Sequence, residues 1–209
     1  MVGSSARRAI GASAALATAV LVLTACGPAP WDLASGDATP SPSRTRTSAP
    51  APQPVPNDLS SGSTERTIQA GSVSAAINYW STLNMDLWTP TALKPVSLSM
   101  VTTVTPNDGQ QVYLQRATMI AVPSNETETF APLQPQVDQA TVNPGYPVLS
   151  PYSYSQTFNV GEVPDDATSV TLQFSYEYLV QTTPTSSEYA KQTGTDTLTV
   201  AIAGGSSSD

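Results

Sequence analysis

The chain has 209 residues, eight of them basic and sixteen acidic, with no histidine and a net charge of -8 at neutral pH. That surplus repels phosphate backbones and anionic head groups, which argues against nucleic acid as a partner and against a basic membrane-binding patch. Without histidine the commonest general base and zinc ligand are missing, and a single cysteine, Cys26, rules out an internal disulfide.

Residues 1–25 have the layout of an export signal. Arg7 and Arg8 form a positive flank, and Ala9 to Ala25 form an apolar run of small residues, too short and too rich in alanine for a spanning helix. By itself this segment also fits a plain secretory signal or a short membrane anchor. Ala9-Ile10-Gly11 departs from the twin-arginine pattern, which leaves ordinary Sec export.

The run ends in Leu23-Thr24-Ala25-Cys26, which resembles the lipobox of bacterial prolipoproteins. The resemblance implies recognition of Leu23, Thr24 and Ala25 by the lipoprotein signal peptidase, cleavage before Cys26 and a diacylglyceryl group on its sulfur. Two acyl chains give stable anchoring where one gives only marginal binding. The expected address is the extracytoplasmic face of the cell membrane. Loss of Arg7 and Arg8 with the signal leaves six basic residues against sixteen acidic ones, a net charge of -10.

Residues 26–65 are dominated by Pro, Ser, Thr, Ala and Gly, with Ala49-Pro50-Ala51-Pro52-Gln53-Pro54-Val55-Pro56 at their centre. Proline lacks the N–H that helices and ladders use, so this composition predicts a disordered linker. Its length spans on the order of 120 Å when extended at ~3.1 Å per residue and about 35 Å as a coil. Trp31, near the anchor, suits a membrane interface. The spacer reading competes with partner recruitment by the proline motifs and with glycosylation of Ser and Thr.

Residues 66–203 change to strand composition, followed by a tail at 204–209. Ile68–Val73 and Ala75–Leu83 open the series, and Val96, Leu98 and Met100 alternate with serines. Pro106-Asn107-Asp108-Gly109 has hairpin chemistry, with Gly109 free to take positive φ, and leads into Val112, Leu114 and Ala117 to Val122. Phe130 to Pro151 is punctuated by proline and reads as a long crossing loop whose Tyr146, Tyr152 and Tyr154 cover one end of the fold. Gln156–Val160 is a further strand. Val170, Leu172, Phe174, Tyr176 and Tyr178 then share one face over nine residues, and Leu198, Val200 and Ile202 repeat the pattern. About seven antiparallel strands in ~140 residues predict an all-β sandwich, immunoglobulin-like or jelly-roll, with a core able to stand without a staple.

Candidate chemistry is sparse. Glu162, Asp165 and Asp166 could hold a hard cation, but their spacing fits no EF-hand loop and acidic turns before strands are ordinary, so no metal is expected. Asp108, Glu126 and Glu128 read as turn or solvated loop charges. With no histidine, only Lys94 or Lys191 could activate a serine, and neither sits in a motif. No glycine-rich phosphate loop or cofactor motif occurs. Tyr79, Trp80, Trp88, Tyr146, Tyr152 and Tyr154 could form a stacking platform for sugar rings, against the plainer expectation that Tyr79 or Trp80 fills the core and the others pin loops.

The expectation is therefore a lipid-anchored, non-catalytic sandwich that binds or scaffolds protein or cell-wall polymer. The alternative is a carboxylate-dependent wall glycan hydrolase, which needs two acidic groups across a cleft. The scarcity of lysine and the weight of Ala, Thr and Pro resemble lipoproteins of high-GC actinobacteria, a similarity confined to signal, tether and composition.

Overall fold

A computed structural model of the chain describes residues 54–204. The expected signal with Leu23, Thr24, Ala25 and Cys26, the expected linker through residue 53 and residues 205–209 lie outside the described residues. Nine strands form two antiparallel sheets, an all-β sandwich. The first sheet has the order β1-β2-β3-β7, built from Ser63–Ala70, Val73–Trp80, Lys94–Val104 and Tyr154–Val160. The second is β5-β4-β8-β9, from Gln136–Gln139, Val112–Ser124, Ser169–Gln181 and Tyr189–Ala201, with β6 (Tyr146–Pro147) also paired to β4.

The order of the central strands decides between the two expected sandwiches. β3 neighbours β7 in one sheet, β4 neighbours β8 in the other, and β9 follows β8. Strands B and E, then C, F and G, stand in these relations in the immunoglobulin arrangement. Here an additional strand, β1, lies outside β2, and short strands after β4 take the place of a full fourth partner.

Alternation explains the core. Val73, Ala75, Ile77 and Tyr79 of β2 and Val96, Leu98, Met100 and Thr102 of β3 face the other sheet and are buried. β4 changes phase midway: Val112 and Leu114 point inward, then Ala117, Met119 and Ala121 do. The register against β8 shifts between Leu114 and Arg116, a bulge that accommodates one extra residue and restores the apolar face. Phe174, Tyr176 and Tyr178 of β8 fill the centre, with Tyr79 Oη and Tyr176 Oη 3.0 Å apart.

Several boundaries differ from expectation. Ile68–Val73 is not one strand: β1 ends at Ala70, Gly71 turns with φ of +59°, and β2 begins at Val73. The apolar residues on either side of a two-residue turn mimic a single run. Likewise Pro106-Asn107-Asp108-Gly109 is not a hairpin, although Gly109 has the expected positive φ of +96°. Both edges of β3 are occupied by β2 and β7, so the chain leaving Val104 crosses to the second sheet.

The hairpin partner of β4 lies in the stretch expected to be a crossing loop. Asn125 Oδ1 accepts the N–H groups of Thr127 and Glu128 and turns the chain. Phe130 then bonds to Pro123, Leu133 to Ala121, β5 pairs with Arg116 to Met119, and β6 pairs with Tyr113 and Leu114. Prolines and the loop before Tyr146 cut this return strand into pieces, so it shows no sustained alternation. Next, Val148 N–H donates to Val112 of the second sheet while its carbonyl accepts both N–H and Oγ1–H of Thr102 in the first.

The packed domain also begins before residue 66. Leu59 is fully buried, Asp58 N–H donates to the Thr199 carbonyl at 2.8 Å, and the Asp58 carboxylate accepts Thr199 N–H and Arg66 at 2.7 Å each. Leu59→Ala is therefore expected to cost about 2–4 kcal/mol in urea unfolding, the range for a buried leucine, whereas a linker residue would cost nothing measurable. On the outer face of the second sheet, Glu177 accepts Lys191 at 2.5 Å and Arg116 at 2.7 Å. The Lys191 contact, opposed by partial burial and helped by Arg116, holds the Glu177 pKa below the usual glutamate range. A carboxyl depressed in the folded state stabilises above its unfolded pKa, and this contribution is lost as pH falls through the folded value. Glu177→Gln should lower stability at neutral pH and converge with wild type at acid pH.

Candidate functional site

The two sheets meet at a seam where β7 edges the first and β5 and β6 edge the second. Gln136 spans it as a strand would: its Oε1 accepts Asn159 N–H at 2.9 Å and its Nε2 donates to the Asn159 carbonyl. Asp138, two residues on and on the same side of β5, accepts the Tyr154 hydroxyl through Oδ2 at 2.7 Å. Tyr146 of β6 stacks on Tyr154 with ring centroids 5.9 Å apart and planes inclined by 22°.

These groups line a cleft of about 430 Å³ together with Pro147, Tyr152, Ser153, Ser155 and Gln156. The volume falls within the roughly 300–1,000 Å³ of ligand clefts. Tyr154 forms its buried wall, Tyr146 is half-buried, and Tyr152 is 55% exposed at the rim. Burial, reinforced by the hydrogen bond to Asp138 and the negative charge there, pushes the Tyr154 hydroxyl pKa far above the ordinary tyrosine range. The phenol remains a donor, so its bond holds both the Asp138 carboxylate and the ring in place.

The six aromatic residues considered for a platform thus separate. Tyr79 and Trp88 are fully buried, the latter donating Nε1–H to Ser81 Oγ at 3.3 Å. Trp80 alternates with Tyr79 and lies half-buried on the outer face of the first sheet. Only Tyr146, Tyr152 and Tyr154 come together. Asp138 was not singled out by sequence, since one aspartate in a proline-broken stretch carries no periodic signal.

Two other clefts lie on the outer sheet faces. One, of about 460 Å³, runs across β1, β2 and β3 past Glu65, Thr67, Ala76, Asn78, Ser99 and Val101 and has no aromatic lining. The other, about 260 Å³, includes Thr118, Gln173, Thr195 and Asp196. Each of the three clefts contains one acidic residue.

The remaining candidates are held in other roles. Lys94 is fully buried, and its Nζ donates to the carbonyls of Thr89, Pro90 and Ala92 at 3.1, 3.3 and 2.6 Å. Burial lowers its pKa, against the opposing charge of Glu162. It therefore ties down the loop before β3 and touches no serine hydroxyl among the described residues. Lys191 is paired with Glu177. Glu162, Asp165 and Asp166 are exposed, and among the described residues no three potential metal ligands converge.

Comparison of the chain with protein-family models, with characterised proteins and with solved structures finds no match. In an alkaline titration of tyrosine absorbance, Tyr154→Phe should remove amplitude from the late phase that accompanies unfolding, because burial and Asp138 keep that phenol protonated until the seam opens.

Proposed function

We propose that this chain is a lipid-anchored surface protein whose sandwich binds a cell-wall glycan without cleaving it. The anchor rests on Leu23-Thr24-Ala25-Cys26 and the proline-rich spacer after it. The observation that carries the binding role is the gathering of Tyr146, Tyr152 and Tyr154 around Asp138 in one cleft. Sugar rings present apolar C–H faces that pack on phenol rings, and their hydroxyls require the polar groups that Asp138, Ser153, Ser155 and Gln156 place around those rings. Glycoside hydrolysis uses two carboxyl groups flanking the scissile bond, whereas the tyrosine cleft offers one, Asp138.

A long spacer suits this role, because a polymer mesh begins beyond the head groups and a tethered domain searches the volume its linker allows. Co-sedimentation with purified walls of the producing cell tests the reading. The full chain should pellet with the wall, and Tyr152→Ala should reduce the bound fraction severalfold while leaving the unfolding midpoint unchanged, since that ring is 55% exposed. Cys26→Ala should free the protein from membranes or leave uncleaved precursor without changing wall binding. Equal wall binding by wild type and Tyr152→Ala would remove the cleft from the proposal.

A further inference from the structure

Charge in the domain is distributed so that the cleft carboxylate is left without a cation. Four basic residues lie among the described residues: Arg66, Lys94, Arg116 and Lys191. Arg66 is paired with Asp58, Arg116 and Lys191 share Glu177, and Lys94 is spent on three backbone carbonyls. None of them lines the tyrosine cleft. Among the described residues Asp138 makes no ion pair, and its one side-chain hydrogen bond is the Tyr154 hydroxyl on Oδ2, so Oδ1 has no partner.

A carboxylate walled by three tyrosines has the composition of a seat for an organic cation. Ring faces attract an ammonium group through their quadrupole, and a negative charge beside them adds a direct Coulomb term that is less screened at a half-buried site than at an open surface. The acidic surplus of the whole chain raises the local concentration of cationic ligands in the same sense.

We propose that the cleft selects its polymer through a free alkylammonium group, seated between Asp138 and the rings of Tyr146, Tyr152 and Tyr154. This rests on the glycan-binding reading and narrows it to polymers carrying unacylated amines, either on the sugar ring itself or on a pendant substituent. A neutral glycan leaves Oδ1 of Asp138 facing a hydroxyl; an amine gives it a charge-assisted hydrogen bond, roughly twice as strong.

The test uses matched ligands on the full chain in detergent at mildly acidic pH. Chitosan oligosaccharides and chitin oligosaccharides of equal length share a backbone and differ in whether the amine is free or acetylated. The free amine should bind about tenfold more tightly, a preference that fades at high salt and disappears in Asp138→Asn, which keeps an oxygen acceptor for Tyr154. Methylammonium, which carries the charge and its N–H donors without a sugar ring, should compete, which separates the cation from the sugar ring as the recognised element. Asp165→Asn, at an exposed carboxylate outside the cleft lining, should leave the preference intact and control for net charge. Equal affinity for the two oligosaccharides, or a preference that survives Asp138→Asn, would overturn the cation seat while leaving wall binding standing. Wild-type protein that ignores walls yet binds methylammonium through Asp138 would do the reverse.

Discussion

The side-chain amide of Gln136, joined to both backbone polar groups of Asn159, fixes how the two sheets of this protein meet. β7 is an edge strand, and an unpaired edge is open to other chains and to water. One glutamine closes it at the level of Asn159 and at the same time sets the height of β5 against β7. Asp138 follows on the same side and is brought to Tyr154, and the stacking of Tyr146 on Tyr154 completes the wall. The cleft is thus a by-product of closing the seam.

The opposite seam is closed by different means. There Asp58 pairs with Thr199 and Arg66, and Gln192 reaches across to Ser72. Gly194 on β9 makes room for this approach, since a Cβ at that position would lie 2.9 Å from Ile68 Cδ1. Both seams are polar because strands that end a sheet must satisfy their own backbone groups. The difference is that at one the half-buried polar groups bond to one another, while the other leaves a carboxylate and an exposed tyrosine at its mouth.

The seven long strands and their inward faces were largely legible, because a half-buried strand writes its environment at period two. Val170 to Tyr178 is the clearest case, and every apolar member of that series is buried. The first half of β9 was not legible. Its inward positions include Gln192, Gly194 and Asp196, so it pairs with β8 along its whole length without showing an apolar face. The return strand after β4 was hidden for another reason: prolines interrupt its ladder, yet Asn125 turns the chain and pieces of the strand still pair. Of the cleft, the three tyrosines were visible as residues, but their convergence with Asp138 was not.

By itself the sequence determined composition-level facts: an acidic, histidine-free chain with one cysteine in a lipobox-like setting, a proline-rich stretch after it and a β-rich composition beyond that. These follow from local residue types and need no knowledge of what packs on what. Tertiary structure alone decided that β3 and β4 belong to different sheets, that Leu59 is core, and that Asp138 meets Tyr154 across a seam. The physical reason is that strand partnership depends on which edges are already occupied. Asn-Asp-Gly encodes a turn, but whether that turn makes a hairpin depends on β2 and β7 having taken both sides of β3.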